Sequence, residues 1–169
     1  MPRLTCVRSE ADGENFITRD YMVVERQESE IHSENNWAKP NFGAILGFIH
    51  EEAPNERAMV RLDVQSEHCN LRGMVHGGVL MSLMDATGLW AGVPKGEAVP
   101  SAATVSLNCS FLRGAKRGET TSLRAEALVT KRGRALHFAS VSVYGMPQNT
   151  LLATGQGIYS WGATSNPSA

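Results

Sequence analysis

The sequence predicts an α+β domain, in which one long apolar helix is held by an antiparallel sheet. Three observations carry this expectation. Residues 77–91 form a dense apolar stretch that is too long and too weakly alternating for a strand. Five shorter stretches alternate apolar and polar residues with a period of two. The last four of these follow one another through short connections bearing glycine, which makes successive strands antiparallel neighbours.

Taken in order, residues 1–40 differ from the rest. They are polar and charged, as in Glu25-Arg26-Gln27-Glu28-Ser29-Glu30, and show no sustained period. Tyr21-Met22-Val23-Val24 suits a short strand, and the first dozen residues are expected to be disordered. This segment is assigned as an N-terminal extension. The structured domain is placed at residues 41–162. Its first apolar run, Asn41 to Ile49, reads equally as helix or strand. From Arg57 to Gln65, Ala58, Val60, Leu62 and Val64 alternate with Met59, Arg61, Asp63 and Gln65, the mark of a half-buried strand. A loop-like stretch from Glu67 to Val75 leads into the helix, placed at Gly77 to Ala91 and ended by Gly92 and Pro94. Apolar residues fall on nearly every face of that helix, so it is expected to be surrounded by protein.

Four strands are expected after the helix. Ala103, Val105, Leu107, Cys109 and Phe111 alternate with Thr104, Ser106, Asn108 and Ser110. Leu123, Ala125, Ala127 and Val129 form the next apolar face, and Ala135, His137, Ala139, Val141 and Val143 the one after it. Leu151 to Trp161 is the last, with Gly155 and Gly157 marking a bend or a close backbone approach. Residues 163–169 are small and polar and read as a frayed tail.

Composition narrows the function classes. A chain of 169 residues with 42% apolar and 20% charged residues is one globular domain with a real core. Its formal net charge of −1 gives no global attraction for nucleic acid or an anionic membrane. No segment approaches the roughly 20 consecutive apolar residues of a membrane span, and no signal peptide is evident. Cys6, Cys69 and Cys109 fit neither a disulfide framework nor a metal pair, which suits reduced thiols and a cytoplasmic location. His68 and His76 lack a third ligand at metal spacing. No phosphate-binding loop or nucleophile elbow is present.

Two features carry chemistry. Asp85 lies mid-helix within Leu83-Met84-Asp85-Ala86, and a carboxylate there is costly unless it is paired, hydrogen-bonded or functional. The alternative is a structural aspartate bonded to a strand. His76-Gly77-Gly78 opens the helix, where free N–H groups and the positive dipole end favour an oxygen gaining negative charge. Its alternative is a glycine-rich helix start needed only for packing. At ~1.5 Å rise per residue, His76 and Asp85 stand roughly 13 Å apart along the axis. One chain cannot bring both to the same reacting group, so if both act, each site combines one subunit's helix start with another subunit's Asp85, which makes the working unit a homodimer, with association into a dimer of dimers left open.

Asn70-x-x-Gly73-x-Val75-His76-Gly77-Gly78, followed by Asp85, resembles the signature of the phenylacetic-acid-type (PaaI-like) hotdog thioesterases. Phe111-Leu112-Arg113, Gly133 to Ala139 and Ala153-Thr154-Gly155-Gln156-Gly157 resemble the same family, so the match spans roughly Phe42 to Ser160. The resemblance implies a hotdog fold: a long central helix wrapped by a curved antiparallel sheet, with edge-to-edge dimers and active sites between subunits. It implies hydrolysis of acyl- or aryl-CoA thioesters by a carboxylate, with no metal and no cofactor. Asp85 would be the general base or the nucleophile, and the Gly77 N–H the oxyanion donor beside Gly78. His76 and Asn70 would orient the thioester, and Thr104 would hold the attacking water. Seven basic residues against two acids between Arg113 and Arg134 would suit the phosphates of CoA, with Arg113 and Arg132 the chosen contacts. Met81, Met84, Trp90 and Phe111 are candidates for an acyl tunnel or for plain core. The competing readings are an acyl-thioester hydratase or dehydratase and a non-catalytic acyl-CoA-binding protein.

Overall fold

The structure, a computed structural model, describes residues 4–7, 21–24, 41–51, 53–94 and 102–161. The chain divides into two compact units, Met1–Pro40 and Asn41–Ala169. In the first, β1 (Leu4–Val7) pairs antiparallel with β2 (Tyr21–Val24), Leu4 opposite Val24. The strand expected at Tyr21–Val24 is there. Leu4–Val7, inside the stretch expected to be disordered, is a strand too, because its β-prone Leu-Thr-Cys-Val has β2 to pair with.

The second unit begins with both structures that its first apolar run left open. Helix α1 (Phe42–Ile45) is capped by Asn41, whose side chain accepts a hydrogen bond from the Ala44 N–H. Gly47 then takes a left-handed φ of +74°, which stops the helix and starts β3 (Phe48–Glu51). β4 (Arg57–Asp63) and a short 3-10 turn at Ser66–His68 lead to α2 (Gly77–Ala91). After it come β5 (Ala102–Phe111), β6 (Ser122–Arg132), β7 (Leu136–Met146) and β8 (Thr150–Trp161). The expected frayed tail at residues 163–169 lies outside the described residues.

The six strands β3 to β8 form one antiparallel sheet in the order β3-β4-β6-β7-β8-β5. The expectation that successive strands neighbour one another holds for β6, β7 and β8 and fails for β5. β5 pairs with β8, because residues 112–121 form a connection long enough to carry the chain across to β4. β5 is therefore a sheet edge, with Val105, Phe111 and other residues exposed along it.

The core lies between α2 and the inner face of the sheet. Val60 and Leu62 of β4, Leu123 and Ala125 of β6, Val143 of β7 and Ala153 of β8 have no exposed surface. Leu83 and Met84 pack into the same cluster from the helix. Alternation along β7 is strict, buried then half-buried, as the period of two requires; along β6 every second residue from Leu123 to Val129 is buried before the strand end becomes exposed. Truncating a fully buried leucine such as Leu83 to alanine costs about 2–5 kcal/mol. The helix is less enclosed than its all-round hydrophobicity suggests. Met81 is 38% exposed and Asp85, Ala86, Leu89 and Trp90 are only half-buried. One face of α2 is left partly open, on the side where Asp85 lies. A central helix gripped by a single curved sheet is the hotdog arrangement that the motif implied.

Candidate active site

The start of α2 is built by its own loop. His76 occupies the N-cap position with extended backbone angles, φ −69° and ψ 138°. Its Nδ1 accepts a hydrogen bond from the Gly78 N–H at 3.0 Å, which places the ring proton of the neutral form on Nε2. The His76 backbone N–H in turn donates to the His68 carbonyl at 2.9 Å. Gly78 is thus engaged by the cap, whereas no hydrogen bond among the described residues uses the Gly77 N–H. A side chain at Gly77 would press on the Phe111 ring, since a Cβ there would stand 3.3 Å from Cζ. Phe111 therefore walls the unused donor.

Asn70 organises the loop before the helix. Its Oδ1 accepts from the Arg72 and Met74 N–H groups at 2.9 and 3.2 Å. Gly73, at φ +73°, closes the turn by donating to the Asn70 carbonyl at 2.9 Å. The carboxamide oxygen is engaged in the turn, so only the NH2 group of Asn70 remains to meet a substrate.

Asp85 sits two turns further along the helix and is half-buried. Thr104 Oγ1 donates to Asp85 Oδ1 at 2.7 Å. Simple alternation along β5 sets Thr104 on the face opposite Val105 and Leu107. A bulge between Thr104 and Ser106 overrides that pattern: Thr104 pairs with Tyr159, Ser106 with Ile158, and Val105 is the extra residue. Thr104 thereby turns to the helix side while Leu107, opposite Gly157, keeps the same side beyond the bulge. Period reading alone could not have found this.

Behind Asp85 lies a polar stack that the sequence reading did not single out. Tyr159, His137 and Trp161 stack in series, with centroids 4.9 Å apart for Tyr159–His137 and 4.7 Å for His137–Trp161. Tyr159 and His137 have no exposed surface. His137 Nε2 meets the Gly88 carbonyl at 3.0 Å, but its Nδ1 and the Tyr159 hydroxyl find no partner among the described residues. Burial holds the His137 imidazole below its ordinary pKa, against the raising effect of the Gly88 carbonyl. Burial, and then the nearby Asp85 charge, push the Tyr159 phenol up. The signal available in the sequence was two glycines, Gly88 and Gly157. A Cβ on either would stand 2.0 or 2.2 Å from the Tyr159 hydroxyl oxygen, so both must stay bare.

The structure separates the two arginines chosen for phosphate. Arg113 lies two residues beyond Phe111, whose ring faces Gly77 at the helix N-terminal end, and makes no ion pair among the described residues. Arg132 is at the other end: its Nη2 donates to the Gly92 carbonyl at 2.9 Å and its Nε to Glu56 at 3.2 Å. Two further cations of that stretch are paired, Lys116 with Glu119 and Arg124 with Glu126. The basic run is therefore not one patch. A helix of this length sets its ends about 20 Å apart.

Beside the helix start is a cleft of about 340 Å³. Phe42, Leu46 and Val79 give it apolar walls, Cys69, Ser82 and Glu67 polar ones, and His76 and Gly78 complete it. Of the four residues suggested for an acyl tunnel none lines this cleft. Met84 is core and Trp90 packs edge-on against His50, with ring centroids 5.1 Å apart.

The sequence profile of the thioesterase superfamily matches residues 72–150. Acyl-coenzyme A thioesterase 13 of Mus musculus is 30% identical over 118 residues, covering 69% of this chain and 82% of the relative. The protein of that name from Homo sapiens is 30% identical, with 69% and 81% covered. Among solved structures, zebrafish thioesterase superfamily member 2 superposes with a TM-score of 0.63 at 27% identity, over 73% of this chain and 88% of that one. The PaaI protein of the E. coli phenylacetic acid degradation operon shares the fold, with a TM-score of 0.64 at 23% identity over 72% and 84% of the two chains.

Proposed function

This chain belongs to the thioesterase superfamily and is a thioester hydrolase, and from that premise we propose that it cleaves acyl- or aryl-CoA thioesters to the free acid and CoA thiol. The carrying observation is the hydrogen bond from Thr104 to Asp85, which holds a carboxylate on the partly open face of the helix. Nothing else among the described residues competes for Asp85 as an ion pair. A carboxylate fixed on one oxygen and open on the other is suited to take a proton from water.

In the mechanism we propose, the thioester carbonyl oxygen lies against the Gly77 N–H at the positive end of α2. Water, donating one proton toward the free Asp85 oxygen and another toward Thr104 Oγ1, attacks the carbonyl carbon. The proton passes to Asp85, the C–S bond breaks, and the thiolate takes the proton to leave as CoA thiol. The NH2 group of Asn70 and the Nε2–H of His76 orient the substrate. Arg113, beside the wall residue Phe111, meets the CoA phosphates, and Arg132 instead anchors the helix C-terminus. The acyl or aryl group enters the cleft at Phe42, Leu46 and Val79.

Gly77 and Asp85 are too far apart on one helix to share a thioester, so each site combines one protomer's Gly77 with the partner subunit's Asp85. The unpaired β5 edge supports such a dimer. Val105 and Phe111 are 59% and 52% exposed there, and Leu112 just beyond is 56% exposed. The test is thiol release from a panel of acyl- and aryl-CoA thioesters by wild type and Asp85→Ala, with acyl-CoA binding measured in parallel. Turnover lost with binding retained supports the reading. Full turnover by Asp85→Ala, or none by folded wild type on any thioester, overturns it.

A further inference from the structure

The cleft beside the start of α2 has a charge character that the proposed reaction leaves unused. Three stretches of chain meet there. Phe42 and the C-cap residue Leu46 stand one turn apart on α1, and Gly78, Val79 and Ser82 lie along the first turns of α2. Glu67 and Cys69 come from the 3-10 turn and the residue that ends it. At about 340 Å³ the cleft is near the lower end of the range for small-molecule sites, which suits a short acyl chain or a single ring. Its polar groups are nearly all committed. Ser82 Oγ donates to the Gly78 carbonyl at 2.8 Å, Cys69 Sγ to the Gln65 carbonyl at 3.5 Å, and the Gly78 N–H to His76 Nδ1 at 3.0 Å. The donor left over, His76 Nε2–H, is the group assigned to orienting the thioester. Among the described residues that line the cleft there is no lysine or arginine, and the charged side chain is Glu67. Glu67 is exposed and makes no ion pair among the described residues. The Ser66 hydroxyl donates to its Oε2 at 3.0 Å and so restrains the carboxylate. Its own backbone N–H, and then Ser66, hold that carboxyl below the ordinary carboxylate range, with His68 and Arg117 acting on it more weakly. Glu67 is therefore an anion at neutral pH.

We propose that this cleft selects uncharged acyl and aryl groups, and that Glu67 is a specificity-determining residue that turns away acyl groups ending in a carboxylate. This rests on the cleft being the acyl site of the proposed hydrolysis. A carboxylate carried into it leaves water for the apolar walls at Phe42, Leu46 and Val79, meets no cation and no uncommitted donor, and faces a restrained like charge. The first two costs belong to the walls; the last belongs to Glu67. Every CoA thioester carries the same phosphates, so any effect of Glu67 on CoA itself cancels when two acyl groups are compared.

The test compares hexanoyl-CoA with adipoyl-CoA, which match in chain length and differ by a terminal carboxylate. Values of kcat/KM are read from thiol release, with uncatalysed hydrolysis subtracted, for wild type, Glu67→Gln and Glu67→Lys. Glu126→Gln, which removes the same charge from β6 away from the cleft, controls for net charge. Thermal unfolding establishes that each variant is folded. Wild type is expected to favour hexanoyl-CoA. Glu67→Gln is expected to narrow that preference about fivefold at low salt, Glu67→Lys to narrow it further, and high salt to shrink both effects. Glu126→Gln is expected to leave the preference where it was. An unchanged preference in folded, active Glu67→Gln overturns the proposal. So does an equal shift in Glu126→Gln, which makes the effect one of net charge, and so does a wild type that hydrolyses both substrates equally well. Failure of the hydrolase reading looks different: folded wild type then releases no thiol from hexanoyl-CoA or any other thioester, and the proposal falls with its premise.

Discussion

Replacing Gly77 by proline deletes one N–H and little else. Gly77 is the first residue of α2, where proline is tolerated because its missing N–H has no helical partner and its φ is already suitable. The residue before a proline must be extended, and His76 already is, with ψ 138°. The Gly78 N–H stays capped by the His76 ring. What is lost is the donor proposed to face the thioester oxygen. Removal of one such donor costs about 3 kcal/mol, or roughly a hundredfold or more in kcat. The side effect is steric, since any Cβ at this position meets the Phe111 ring at 3.3 Å. Gly77→Ala carries the same contact and keeps the N–H, so it is the control. The comparison is kcat from thiol release by the two variants, with thermal unfolding to establish that both are folded. Gly77→Pro is expected at least tenfold below Gly77→Ala. Equal kcat values in two folded variants would refute the assignment of this N–H to the oxyanion.

Thr104→Val keeps the β-branched shape and removes the donor to Asp85. Because both groups are partly exposed, the loss is discounted to about 1.4 kcal/mol, or about tenfold in kcat, read from the same thiol-release assay. Gly88→Ala drives a methyl to within 2.0 Å of the Tyr159 hydroxyl oxygen; overpacking of this kind costs about 2 kcal/mol and lowers the melting temperature by about 6 °C. Burial depresses the folded-state pKa of His137, so the unfolded chain binds the proton more readily. The resulting stability is present above about pH 6.5, the unfolded value, and is lost as pH falls through the folded one. Melting temperatures between pH 5 and 8 should therefore fall toward acid, and the slope should lessen in His137→Gln.

Much of the framework was legible because periodicity reports burial directly. The long apolar stretch became α2 with the expected ends, Gly77 and Ala91, and the strict alternations became β4, β6 and β7. The misreadings have particular causes. Asn41 to Ile49 looked like one ambiguous element because a glycine with positive φ, Gly47, divides it into two. β5 was given one continuous face because a bulge leaves no compositional trace when the extra residue is valine. The same bulge brings Thr104 to Asp85, so the Thr104 assignment came from motif resemblance and not from pattern. Arg132 and Arg113 are close in sequence but stand at opposite ends of the helix, because the long strand β6 separates them. The cleft residues Phe42, Leu46 and Cys69 come from two segments on either side of β4, and no local pattern announces that meeting.

The proposed division of each site between two subunits makes a quantitative prediction of its own. Gly77 and Asp85 are eight residues apart on one straight helix, about 12 Å along its axis. A thioester carbonyl and its attacking water lie within about 3 Å of each other, so one helix cannot supply both groups to one carbonyl. Suppose Gly77→Pro and Asp85→Ala subunits are mixed in equal amounts and allowed to exchange. With random pairing, half of the dimers are mixed. In a mixed dimer one site carries both defects, and the other pairs an intact Gly77 with an intact Asp85. Activity should therefore recover to about a quarter of wild type, although each parent alone is nearly inactive. If each site belonged to a single chain, every site in the mixture would keep one defect and activity would stay at the parental level. Recovery to that fraction, measured as thiol release after subunit exchange, requires donor and carboxylate to come from different protomers. Its failure, in subunits shown to exchange, would return both groups to one chain and remove the reason for the dimer.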